Sequence, residues 1–201
     1  SFVLSPGEEN IKDEVKIQSL TVPKTASNSS YYQKVELAKV KDLPLKTKVE
    51  VQGQVSVLPN TFSKNIMYLT GSGIQVYFSK AEWPELALGD LVSLKGTLSE
   101  SYGEKRILLK DKVDLQVLAN ESLELPKQID SSNIGEEFEG YYVQLQGELV
   151  EKQSYKLFFL DDQGEFIVYL KQNTGLKSSL YKVGDKLLIT GIVTEYNGEY
   201  R

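Results

Sequence analysis

The chain has no cysteine and no histidine among its 201 residues. Structural zinc sites are built mainly from thiolates and imidazoles, so their usual ligands are missing. Ser–His and Cys–His nucleophilic pairs are excluded for the same reason. Without cysteine there is no disulfide to stabilise the fold, whatever the compartment. Long apolar runs are absent as well: no stretch approaches the roughly 18–20 residues that a membrane-spanning helix needs. Positive charge is in short supply. Lys and Arg number 23 against 28 Asp and Glu, a net charge of −5, whereas a strongly electrostatic nucleic-acid binder is expected to be basic. Nor does any segment carry a sustained apolar stripe of helical period.

The acidity is uneven. Residues 35–118 carry ten acids and eleven bases, whereas residues 119–201 carry fourteen acids and eight bases. A polyanion would therefore meet the first of these segments.

What the sequence does contain is a long self-similarity. "GDLVSLKGTLSESYGEKR" at 89–106 returns as "GDKLLITGIVTEYNGEYR" at 184–201. Outward from it, "VEVQGQV" (49–55) matches "VQLQGEL" (143–149), and "MYLTGSGIQVYF" (67–78) matches "FFLDDQGEFIVYL" (158–170). Each unit reads as a strand with an internal glycine, a two-strand hairpin, a connector long enough for a helical turn or two, a fourth strand and a turn. Short strands separated by turn signals mean a sandwich or a barrel. Two SH3-like barrels or sandwich halves would use Gly53 and Gly147 only as bulges. Five strands with a short helix between the third and fourth is instead the plan of the OB fold, a partly open Greek-key barrel.

The expectation is an all-β chain of two tandem OB-fold five-stranded Greek-key barrels, the second lacking its own C-terminal strand. Residues 35–118 form the first barrel, 119–126 a linker and 127–201 the second barrel. Ile107–Leu118 is expected to supply the fifth strand of the first barrel. Its segment "LKDKVDLQVL" (109–118) has a near match in "IKDEVKIQSL" (11–20). Residues 1–20 therefore read as a stray fifth strand, joined through the Thr/Ser/Asn-rich linker 21–34. Residues 2–20 are expected to close the second barrel, within one chain or by exchange with a neighbouring copy.

The same strand pattern, with its Gly-Asp and Gly-Glu-x-Arg punctuation, resembles OB-fold nucleic-acid-binding domains. These include the anticodon-binding domains of class II aminoacyl-tRNA synthetases and the wedge domain of RecG-type helicases. It is most similar to the repeated OB domains of large exported bacterial surface proteins. The resemblance implies a non-catalytic binding module at the surface of a bacterium, with no cofactor and no metal.

OB domains bind chain-like ligands on the face of their second and third strands, between flanking loops. Single-stranded nucleic acid needs aromatic rings for stacking and cations for phosphate. By alternation, Met67, Leu69, Ile74, Val76 and Phe78 face the core, which turns Tyr68, Gln75 and Tyr77 outward. Phe62 and Lys64 stand in one flanking loop; Tyr102, Lys105 and Arg106 in the other. These eight are the candidate ligand residues for single-stranded nucleic acid or an oligosaccharide. In the second unit Phe159, Ile167 and Tyr169 are expected outward, near Tyr155 and Tyr196. Carboxylates surround them, so that face reads as a protein contact. The alternative function is a structural spacer or protein-interaction module without a small ligand. Trp83 is assigned to a connector helix plugging the barrel. Asp161, Asp162 and Glu165 fit no calcium-loop spacing and read as a polar hairpin tip.

Overall fold

A computed structural model describes residues 31–71 and 73–201. The expectation for residues 2–20 lies outside the described residues.

The described chain is all-β apart from short helical turns, as the alternating pattern requires. The first half contains β1 (Gln33–Lys34), the one-turn helix α1 (Leu37–Val40), β2 (Lys48–Val57), β3 (Ile66–Thr70), β4 (Ile74–Phe78), β5 (Asp90–Ser101), β6 (Glu104–Leu109) and β7 (Leu115–Asn120). β2 pairs with β3 and also with β5, β3 with β4, β4 in parallel with β6, and β6 with β5. That circuit closes five strands into a barrel with the strand order of an OB fold. Met67, Leu69, Ile74, Val76, Phe78, Val92, Leu94, Leu98 and Ile107 are completely buried inside it. The closing turn of the barrel comes from a bulge in β2, where the register against β3 shifts between Val55 and Val57. Gly53, nearby, makes room: a Cβ there would lie 3.0 Å from a methyl of Leu37 on α1.

Two expectations for this half are corrected. The fifth barrel strand is β6, not the segment running to Leu118. Residues 109–118 instead hold the end of β6, a 3-10 turn at Lys112–Asp114 capped by Asp111, and most of β7. β7 pairs with the first half of β5, at Asp90–Leu94, and so adds a strand beyond the five of the barrel. The connector after β4 holds no helix: residues 81–87 are irregular. Pro84 two residues after the positive-φ Ala81 leaves no room for a helical turn, because the residue before a proline is pushed out of the α region. Trp83 packs from outside onto the core, edge-on to Phe78 at 5.3 Å, and its indole N–H donates to the Lys64 carbonyl at 2.8 Å.

The second half contains β8 (Lys127–Gln128), β9 (Tyr142–Lys152), β10 (Lys156–Leu160), β11 (Glu165–Tyr169), β12 (Lys186–Ile192), β13 (Glu195–Tyr196) and β14 (Glu199–Tyr200). β11, β10, β9 and β12 form a continuous sheet in that order, and β8 runs parallel to β9 as β1 does to β2. The order matches β4, β3, β2 and β5 of the first half. Among the described residues no strand joins β11 to β12.

Phe159 is corrected here. It is buried in the core of this half, stacked on Phe166 at 5.4 Å. The hairpin pairs Leu157 with Val168 and Phe159 with Phe166, so Leu157 and Phe159 point inward and Phe158 outward. The sequence match had set Phe158 against Met67, one residue out of register. In a strand a one-residue slip exchanges the two faces.

Candidate binding faces

The β3–β4 surface of the first barrel turns Tyr68 and Gln75 away from the core, yet neither reaches solvent. Tyr68 is 2% exposed and Gln75 6%. The Tyr68 hydroxyl donates to Glu104 Oε1 at 2.8 Å and accepts from Gln75 Nε2 at 3.0 Å. Phe62 lies edge-on to the Tyr68 ring at 5.8 Å. Glu104, on β6, is 6% exposed, and Glu139, just before β9 in the second half, is 1% exposed.

Glu139 belongs to the contact between the two halves. Its Oε1 lies 3.6 Å from Lys41 Nζ and accepts from the Lys105 backbone N–H at 3.3 Å. Lys41 Nζ also donates to the Glu139 carbonyl. Lys105 Nζ donates to the Lys41 carbonyl at 2.9 Å and lies 4.0 Å from Glu136. Around this cluster the two backbones meet directly. A Cβ on Gly73 would lie 2.2 Å from the Gly140 carbonyl group, so only glycine permits the approach; its φ of +52° also favours glycine. Farther out, the Tyr102 ring packs on Tyr196 at 4.8 Å, and the Asn197 N–H donates to the Tyr102 carbonyl at 2.7 Å. Asn173 Nδ2 donates to the Asn60 carbonyl at 2.7 Å.

Burial governs the ionisation of this cluster. Glu104 is pushed up to about 7, chiefly because desolvation penalises its charge, with Glu139 adding repulsion and the Tyr68 hydroxyl opposing. Desolvation also raises Glu139, against the attraction of Lys41, and lowers Lys41 from the usual lysine range. The Tyr68 phenol is raised by burial first and by Glu104 second.

Of the eight candidates on the first barrel, Phe62, Tyr68 and Gln75 gather around Glu104. Tyr77 is half-buried beneath the Arg106 guanidinium, 4.4 Å from its ring centre. Lys64 is exposed. Tyr102 and Lys105 are taken up by the second half. Alternation correctly separates the two faces of β3 and β4, but the cover over the outer face comes from the other half of the chain. Lys41, Glu104 and Glu139 were not singled out as functional by sequence reasoning. Glu104 does stand in the repeated Gly-Glu-x-Arg signature, where it reads as a turn residue.

On the second half, Ile167 and Tyr169 are half-buried and Tyr155 and Tyr196 exposed. Tyr169 is sandwiched by cations: Lys156 Nζ lies 4.7 Å and the Arg201 guanidinium 3.9 Å from its ring centre, and its hydroxyl donates to Glu199 at 3.2 Å. The core side of this half opens into a groove of about 380 Å³, bounded by β11 and β12. Its walls include Val168, Leu170, Leu187 and Ile189, with Lys171 and Arg201 beside them.

One carboxylate trio, Glu136, Glu139 and Glu195, brings oxygens within 4.8 Å of one another. All three are engaged otherwise: Glu136 accepts from the Tyr200 hydroxyl at 2.7 Å, Glu139 pairs with Lys41, and Glu195 accepts from the Gly198 N–H at 3.0 Å. The lysine beside the trio supplies the charge that a cation would.

The chain matches no protein-family model and no curated protein. Among solved structures it is similar to the hypothetical protein ygiW from E. coli, at 14% identity and a TM-score of 0.35, over 45% of this chain and 99% of that one. It is also similar to the p204 HINb domain, at 12% identity and a TM-score of 0.36, over 74% of this chain and 88% of that one. Neither likeness bears on function. The barrel itself rests on its strand pairings.

Proposed function

We propose that the chain is a non-catalytic interaction module, two copies of one β unit docked as a single body, whose ligands are polypeptide rather than nucleic acid or glycan. The observation that carries this reading is the burial of Tyr68 and Gln75 under the contact with the second half. Bases or sugar rings need an open aromatic face to stack on, and on the first barrel that face is spent on internal packing. The remaining aromatic–cation pair, Tyr77 with Arg106, offers one stacking position flanked by few free cations. An acidic chain gains little from counterion release with so small a footprint. An architectural role of this kind accords with the sequence resemblance to repeated OB domains of exported bacterial surface proteins.

The test is a titration of fluorescent single-stranded DNA, single-stranded RNA and a mixed oligosaccharide panel with the whole chain at low salt. No saturable signal is expected. Saturable binding that falls with salt, and that Tyr77→Ala with Arg106→Ala abolishes, would overturn the reading and restore the first barrel as a nucleic-acid site.

A further inference from the structure

We propose that the groove between β11 and β12 is a strand-acceptor site, which takes an extended segment of a partner protein with apolar residues at alternate positions and acidic residues between them. This rests on the reading of the chain as a polypeptide-binding module and names its ligand.

The argument starts from a comparison inside the molecule. β3–β4 pairs Met67 with Val76 and Leu69 with Ile74, and β10–β11 pairs Leu157 with Val168 and Phe159 with Phe166. Val168 and Leu170 thus occupy the positions of Val76 and Phe78. Leu187 stands opposite Gly147 as Val92 stands opposite Gly53, which sets Ile189 in the place of Leu94. In the first barrel Val76, Phe78, Val92 and Leu94 are fully buried. Their four counterparts are all only partly buried and line the open groove. The difference is β6. It lies parallel to β4 with Ile107 beside Val76 and Leu109 beside Phe78, and antiparallel to the far half of β5. Both of its apolar residues point into the core.

Among the described residues nothing plays that part in the second half. The outer edge of β11 and the edge of β12 away from β9 carry no ladder partner there. A strand entering parallel to β11 would satisfy the backbone groups of that edge and cover four apolar side chains, which is the β-augmentation mode of peptide capture. The charge of the occupant follows from the walls. Lys171 is lowered by desolvation first and by the neighbouring Arg201 second, and Arg201 Nε is buried without a partner. Two cations crowded at an apolar groove favour a carboxylate on whatever fills it.

The probe is the chain's own closing strand, a fluorescein-labelled octapeptide copied from residues 104–111 (EKRILLKD), together with its Lys105→Glu, Lys110→Glu form. Titrated with the full chain and read by anisotropy, both peptides are expected to bind saturably, the acidic form several-fold tighter at low salt. Replacing both core-facing residues of the peptide, Ile107→Asp and Leu109→Asp, is expected to weaken binding by at least about tenfold. Backbone hydrogen exchange of 165–169 and 186–190 should slow on binding. In the protein, Leu187→Asp should abolish capture, whereas Leu188→Asp, on the opposite face of β12, should leave it intact.

No binding, or binding indifferent to the two aspartates in the peptide, overturns the proposal. Equal affinity for the two peptide charges overturns its acidic element. Three other occupants are read in the same experiment, and each also overturns it. Protection of 165–169 in the peptide-free monomer would mean that residues 1–30 fill the groove. Protection that rises with protein concentration alongside dimer formation would mean a second copy. An apolar dye that enters the groove and resists displacement by peptide would mean a small-ligand cavity. Failure of the wider polypeptide reading is separately visible as oligonucleotide binding with the groove untouched.

Discussion

Replacing Glu104 by Gln should stabilise the chain at pH 8 and leave it nearly unchanged at pH 5. Glu104 is buried between the Tyr68 hydroxyl and the second half, and its carboxyl is pushed up to about 7 from an ordinary 4.5. A carboxyl whose folded value is raised binds its proton more tightly in the folded state than in the unfolded one. Stability is then highest below the unfolded value and falls as pH rises through the folded one. The window is pH 4.5 to 7, and a shift of that size corresponds to about 3 kcal/mol. Glu139 is raised by the same cause and acts in the same sense. Lys41 is lowered, so its contribution runs the other way, with stability gained as pH climbs toward the ordinary lysine value. Glutamine keeps the shape and can still accept from the Tyr68 hydroxyl, but has no charge to desolvate. For a domain of this size about 3 kcal/mol is a melting-temperature gain of about 6–12 °C. Urea and thermal unfolding of the two proteins at pH 5 and pH 8 would measure it. Equal pH slopes for wild type and variant would refute the reasoning, because they would show that Glu104 stays ionised in the folded state without penalty.

Trp83→Ala should destabilise the first barrel by about 3 kcal/mol, at the low end for a deleted aromatic because the ring packs on the core from outside; urea unfolding followed on the first half would show it. Gly73→Ala should destabilise by at least about 2 kcal/mol, since its Cβ meets the Gly140 backbone at 2.2 Å and crowding of this kind costs about 1–3 kcal/mol before backbone strain is added. The loss should appear with faster hydrogen exchange at the Tyr141 and Lys105 amides, whereas an unchanged melting temperature would mean that the halves are not in backbone contact.

The all-β class and the barrel order were legible because alternation and turn residues are local signals. Met67, Leu69, Ile74, Val76 and Phe78 obey period two, and all five are core. Register between the two units was harder. The hairpin "LTGSGI" is one residue shorter than "LDDQGEF", and sliding that difference to the wrong side of the turn turned Phe159 inside out. The fifth strand was misplaced because "LKDKVDLQVL" alternates well enough to be a strand. It forms one, but on β5 beyond the barrel closure, and choosing between the two seats takes three-dimensional pairing. The fate of Tyr68 was hidden for another reason. Its partners Glu104 and Glu139 come from 36 and 71 positions away, and a buried carboxyl is indistinguishable in sequence from a solvated one.

The connection between the halves was read as a linker, yet Gln54 grips it. Its Nε2 donates to the Ser122 carbonyl at 2.9 Å and its Oε1 accepts from the Glu124 N–H at 2.8 Å, like one more rung of a ladder. Gln54 sits in the middle of β2, the strand that also carries the bulge and two ladders. Tension pulled along the chain from the second half would therefore first be met by that side chain, and would pass sideways into the most heavily bonded strand of the barrel before it could peel β7 from its edge. A segment that looks like a tether would behave under load as a strap sewn to the wall.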